Sequence, residues 1–241
     1  MKDYILIFGA KGDIARELAR LYAVNGNNLI LSGRNIEELN DFKSDLQGLN
    51  AKIMLKELDI TDFESFPKYI KSLPSNPKGF IFITGSNPVN ASENINVCVN
   101  TIHVNYTGPV LMINQILNHF QDFKNGFIIG VSSVAGERGR QKNYIYGSAK
   151  ASFTTYLSGL RQRLRNEDIH VMTVHPGFVR TKMTASIPMI KFLTAEPYQA
   201  ALDIYAGQQK RKEITYTRWY WSIIMLIVRN IPEFIFKKTN L

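Results

Sequence analysis

YILIFGAKGDIARELA, residues 4–19, joins five apolar residues of β type to a turn holding two glycines and then to an amphipathic helical pattern. A glycine turn between a strand and a helix lets backbone N–H groups and the helix N-terminus approach an anion such as a pyrophosphate. Outward from this unit the same alternation repeats. Strands are predicted at 4–8, 28–32, 52–57, 79–83, 126–131, 169–174 and about 213–216, and helices at 14–25, 35–47, 62–72, about 97–119, 143–166 and 196–209. Alternation of this kind predicts right-handed βαβ units, hence an α/β fold: a doubly wound parallel sheet of about seven strands with helices on both faces. PSNP (74–77) is a turn into a strand and not a domain boundary.

At 241 residues the chain has room for one well-buried domain. We assign 1–210 to the nucleotide-binding and catalytic body, and 211–241 to a last strand and an apolar, basic tail that is not a separate domain. Cys98 is the only cysteine, so no intrachain disulfide forms. A lone thiol without a secretory signal points to the cytoplasm. The net charge is +9, and seven Lys/Arg against two acids lie from Gln208 onward. Such a tail favours an anionic surface. Neither zinc-finger spacing nor a helix-turn-helix pattern is present, so nucleic acid is not the expected partner. The histidines show no metal-ligand spacing, and no metal is expected.

The stretch SSVAGERGRQKNYIYGSAK (132–150) carries the chemistry. Tyr146 and Lys150, four apart, share a helix face. An ammonium beside a phenol favours the phenolate, which predicts a lowered tyrosine pKa and proton exchange with an alcohol or ketone oxygen. With HPGFVRT (175–181) downstream, the arrangement resembles the short-chain dehydrogenase/reductase family, over about residues 3–210, and so implies a Rossmann-like fold. The resemblance implies ketone reduction in which NADPH supplies the hydride, Tyr146 the proton, Ser133 a hold on the carbonyl, Lys150 a contact to the nicotinamide ribose, and Asn105 in HVNYTGP (103–109) a water of the proton relay. The family spacing disfavours Ser132 and Tyr144. His175 is read as structural or merely near the site.

The cofactor contacts implied by the resemblance are Gly9, Lys11, Gly12, Asp13 and Ile14 in the first turn. The family pattern TGxxxGxG is altered there: Asp13 and Ala15 stand where glycines are usual, and Asp13 either caps the helix or repels an anion. LSGRN (31–35) offers Arg34 where enzymes using NAD carry an acid; a guanidinium suits a 2′-phosphate, so NADP is expected over NAD. Further contacts are Asp59 and Ile60 in LDITD (58–62), Gly85 in TGSN (84–87, where NNAG is usual), Tyr146, Lys150, Pro176, Gly177, Val179 and Thr181.

Arg138, Arg140 and Lys142 are expected to form a basic substrate rim that attracts an anionic substrate, against the alternative of a solvated loop. RWYWSIIMLIVR (218–229) is too short to span a bilayer. With NIPEFIFKK (230–238) it reads as an interfacial anchor over 217–238, peripheral at the inner face of the membrane, or as a helix packed over the cleft or in an oligomer interface. GAxxDIA, SSVAGERGR, YGSAK and this tail resemble the branch of decaprenylphosphoryl-2-keto-pentose reductases, which implies a lipid-phosphate-linked keto-sugar. The family resemblance implies a homodimer or homotetramer. Two alternatives stand beside it: a reductase of 3-oxoacyl or small carbonyl substrates, and a non-catalytic nucleotide-sensing or scaffold protein on the same fold.

Overall fold

Every second residue of the first strand faces the same side, and this organises the molecule. In the computed structural model, which describes residues 3–49, 51–88, 91–185 and 190–239, Tyr4, Leu6 and Phe8 of β1 (Tyr4–Phe8) enter one apolar layer and Ile5 and Ile7 the opposite one. Continuous burial on both faces explains why the strand reads as unbroken apolar sequence. The last two residues of the predicted tail lie outside the described residues.

Helix α1 (Asp13–Val24) buries Ala15, Leu18, Ala19, Tyr22 and Ala23, one stripe at helical spacing. It shares its layer with α2 (Asn40–Gln47) and α7 (Pro197–Gln209). The other layer holds α3 (Phe66–Lys71), α5 (Gly108–His119) and α6 (Tyr144–Arg163). Between the layers lie β1, β2 (Asn28–Gly33), β3 (Ile53–Glu57), β4 (Pro77–Phe82), β5 (Phe127–Val131) and β6 (His170–Pro176). A short parallel pair, β7 (Phe178–Val179) with β8 (Thr194–Ala195), follows β6 and has no counterpart in the sequence reading; two-residue strands leave no periodicity to detect. The strand β9 (Ile214–Thr217) then joins the edge of the sheet beside β6.

All seven strands of the main sheet are parallel, in the order β3-β2-β1-β4-β5-β6-β9. Chain order reverses between β1 and β4. A crevice opens there at the carboxyl ends of the strands, the place where such sheets bind ligands. The Rossmann-like expectation therefore holds. The long helix predicted at 97–119 runs as α4 (Ile95–Ile102), a π-helical turn at His103–Thr107, and α5. π-Turns inside helices gather at functional sites, and this one carries Asn105. The tail forms α8 (Tyr220–Asn230) and α9 (Glu233–Phe236).

Candidate active site

The crevice begins at Gly9. Its φ of +85° is open to glycine, and a Cβ there would lie 2.9 Å from the Ile83 carbonyl oxygen. A cavity of about 490 Å³ beside this glycine is lined by Gly9, Lys11, Gly12, Arg34, Asp59, Ile60 and Gly85 among others. Arg34 is exposed and stands 3.6 Å from Asp59. The other Asp59 oxygen accepts the Thr61 N–H and hydroxyl at 2.8 and 2.7 Å. Lys11 pairs with Glu38 at 2.8 Å. Glu57, which the sequence did not single out, accepts the N–H groups of Asn35 and Ile36 at 2.8 Å each and so shapes the loop that presents Arg34.

A second cavity of about 430 Å³ continues from the first, sharing Lys11, Gly12, Ile83, Thr84, Gly85 and Met183. Asp13, Ile14, Ser133, Tyr146, Lys150, Pro176, Gly177, Val179 and Thr181 also line it. The serine turn and α6 meet backbone to backbone: a Cβ on Gly147 would lie 2.7 Å from the Ala135 carbonyl oxygen, and one on Gly136 would lie 2.8 Å from the Ala151 nitrogen. That approach sets Ser133 beside Tyr146, close enough for its hydroxyl to act on the phenol.

Lys150 Nζ lies 5.9 Å from the Tyr146 ring centroid and donates to the carbonyls of Thr84 (3.0 Å) and Val131 (2.9 Å). Burial pushes the ammonium down to about 7. Burial also pushes the Tyr146 phenol up, with the Ser133 hydroxyl drawing it partway back. The expectation of a lowered phenol pKa is therefore corrected: desolvation of the phenolate outweighs an ammonium that is turned toward backbone carbonyls.

Asn105 is wholly buried. Its amide donates to the carbonyls of Ser86 (2.7 Å) and Thr101 (2.8 Å), and its Oδ1 accepts the Ser86 N–H at 3.3 Å. It thereby pins the backbone beside Gly85. Ser132 also lines the second cavity, but its hydroxyl is engaged by the Lys150 carbonyl (2.9 Å) and the Thr154 hydroxyl (2.7 Å). Tyr144 points to solvent.

Asp13 neither caps its own helix nor faces inward alone. Its Oδ2 accepts the N–H of Lys182 at 2.7 Å. The turn at Lys182–Thr184 is held by a reciprocal Thr181–Thr184 capping box. From it Met183 crosses the cleft, so that a Cβ on Gly85 would come within 3.4 Å of its Cε.

A family model described as short chain dehydrogenase matches residues 3–189. The chain belongs to the short chain dehydrogenase family. It is accordingly an oxidoreductase. It is 26% identical over 240 residues to an uncharacterized oxidoreductase of Mycobacterium tuberculosis, covering 97% of this chain and 96% of that one. It is 27% identical over 188 residues to the NADP-dependent 3-hydroxy acid dehydrogenase of Schizosaccharomyces pombe, covering 75% of this chain and 73% of that one. A short chain dehydrogenase from Burkholderia cenocepacia in complex with NADP superposes with a TM-score of 0.83 at 18% identity, covering 98% of this chain and 97% of that one.

In this short chain dehydrogenase the basic loop does not act as one rim. Arg138 donates to the Arg229 carbonyl (3.1 Å), the Ile231 carbonyl (3.1 Å) and Glu233 (2.7 Å), and stacks 4.3 Å over Phe236. It fastens the tail and is corrected from the substrate rim. Lys142 is exposed and lines neither cavity, so it too leaves the rim. Arg140 alone of the three lines the cavity that holds Ser133 and Tyr146. Behind Ser133 a cluster that the sequence did not assemble joins buried His175 with Glu137, half-buried Tyr216 and exposed Arg229. Glu137 accepts the Tyr216 hydroxyl at 3.0 Å and lies 3.4 Å from both Arg229 and His175. His175 stacks on Tyr216 and is pushed down to about 4 by burial. The inner face of α8 packs here as well: Trp221 lies against Gly177 and Phe178, and Met225 against Arg140.

Proposed function

We propose that the protein is an NADP(H)-dependent reductase of a ketone, catalysing the reversible alcohol dehydrogenase reaction. One observation carries this reading: the Tyr146 phenol, set beside the Ser133 hydroxyl and underlain by Lys150, lines the crevice at the carboxyl end of the sheet. The crevice suits a dinucleotide. Its two cavities are continuous, the backbone at Gly9 and Gly85 is bare of side chains, and cations stand at the adenosine end. Gly9, Lys11, Gly12, Asp59, Ile60 and Gly85 would hold the adenosine and pyrophosphate part, and Pro176, Gly177, Val179 and Thr181 the nicotinamide part. When bound, a reduced nicotinamide supplies a hydride to the carbonyl carbon.

The chain's residues manage the oxygen. Burial keeps the Tyr146 phenol neutral, the form that gives a proton to the carbonyl oxygen. The Ser133 hydroxyl holds that oxygen. Lys150 uses two donors on Thr84 and Val131, leaving a third for a ribose hydroxyl. The phenolate left after transfer meets the Ser133 hydroxyl and the ammonium. Asn105 fixes the Ser86 backbone next to this chain of groups. Exposed Arg34 supports NADP over NAD through its fit to a 2′-phosphate.

The finer reading places the protein in the cytoplasm, as a homo-oligomer touching the membrane surface through 217–238. It acts there on an anionic, lipid-phosphate-linked keto-sugar. Support comes from Arg140 in the cavity and from the apolar, basic tail beside it. The alternative substrates, 3-oxoacyl groups and small carbonyls, share the same chemistry. Following NADPH oxidation against ketones of each class tests the proposal. Wild type is expected to use NADPH at least about tenfold better than NADH, and Tyr146→Phe to lower turnover by about 10²–10⁴ with NADPH affinity retained. Full activity in Tyr146→Phe would remove the mechanism.

A further inference from the structure

Arg140 is a half-buried guanidinium that lacks an ion pair within 4 Å among the described residues. Its Nε is buried with no hydrogen-bond partner, and its one hydrogen bond is a weak contact to the Met225 sulfur at 3.6 Å. A guanidinium stays charged at any pH a protein tolerates, and burying it uncompensated is costly. The nearby acid, Glu137, attracts it from beyond ion-pair range and relieves it only in part. Glu137 is held by Tyr216 and by Arg229, and one of its carboxylate oxygens lacks a hydrogen-bond partner. The imidazole of His175, on the far side of Glu137, is buried as a neutral ring. Two guanidinium groups and one carboxylate leave a surplus positive charge, and the surplus faces the cavity that Ser133 and Tyr146 also line.

Of the other cations lining that cavity, Lys11 is paired with Glu38, Lys150 donates to two carbonyls, and Lys182 is exposed to solvent.

We propose that Arg140 binds an oxyanion, a carboxylate or a phosphate, carried by the same small headgroup as the carbonyl that is reduced. This rests on the ketone-reductase reading. It adds that charge recognition occurs inside the catalytic cavity and close to the reacting carbon, rather than at an outer basic rim. Because Ser133, Tyr146 and Arg140 line one cavity of about 430 Å³, carbonyl and anion would belong to one headgroup small enough to fit it.

The test compares matched ketones: dihydroxyacetone phosphate with dihydroxyacetone, and 4-oxopentanoate with its methyl ester. Wild type should favour the charged member at least about tenfold in kcat/KM, through KM, and Arg140→Met should collapse that ratio toward one, with Arg140→Lys restoring part of it. In parallel, calorimetry follows methylphosphonate binding to the NADP-loaded protein, with at least about tenfold weaker binding expected in Arg140→Met. An unchanged charged-to-neutral ratio, or equal methylphosphonate binding by both proteins, overturns the assignment. Loss of methylphosphonate binding in Arg140→Met without turnover of any ketone by wild type would keep the anion site and remove the ketone-reductase reading instead.

Discussion

Lys150 pays for its position in charge. It is buried on every side, and its ammonium is pushed down to about 7 while the unfolded chain keeps an ordinary lysine. Between pH 7 and about 10.5 the unfolded state holds a proton that the folded state has released, so stability rises with pH across that window. In the protein without cofactor, the unfolding free energy should rise by on the order of 2 kcal/mol between pH 7 and pH 9 from this group. Lys150→Met should flatten the rise. Urea unfolding at the two pH values checks it, and parallel slopes in both proteins would refute the burial argument. The Tyr146–Lys150 pair was legible because four residues on a helix bring two side chains to one face whatever the rest of the fold does. The direction of the tyrosine shift was not, because it depends on how much water the surrounding elements remove.

At the level of elements, the serine turn and the tail form one assembly. Arg138, mostly buried, makes three hydrogen bonds and a ring contact to residues 91 to 98 positions away. Arg138→Ala should free the end of α8 and all of α9, at a cost of about 1–3 kcal/mol. Faster tryptic cleavage at Lys237 and Lys238 would report it, with slower turnover following as Met225 loses its place beside Arg140. Unchanged proteolysis would mean that the apolar packing of Trp221, Met225, Val228 and Phe236 holds the tail unaided. The sequence marked the loop as basic but could not divide it. A run of like charges carries no information about which cation meets an acid, a carbonyl or a cavity.

Across the whole molecule, α8 has two apolar faces. Trp221, Met225 and Val228 turn inward, while Trp219, Ile223, Leu226, Ile227, Phe234 and Ile235 stay exposed together with Phe192. Exposed Arg229, Lys191, Lys237 and Lys238 accompany them. Among the described residues no helix is long and apolar enough to cross a membrane. The outward stripe suits an anionic bilayer surface. The protein should therefore sediment with vesicles containing phosphatidylglycerol and not with pure phosphatidylcholine, and Leu226→Ser with Ile227→Ser should abolish this. If the wild type instead forms a dimer in ultracentrifugation that the same double variant splits, a second copy covers the stripe and the membrane reading falls.

The order of strands and helices, the glycine turn, and the serine–tyrosine–lysine set were determined by the sequence alone, since periodicity and four-residue spacing act over a few residues of chain. The bond from Lys182 to Asp13, 169 residues apart, the division of labour between Arg138 and Arg140, and the cluster behind Ser133 were decided only by the tertiary structure. Each joins residues that no local pattern relates. They meet because sheet closure and apolar packing bring distant segments together, and their polar groups then find whatever partners that packing leaves within reach.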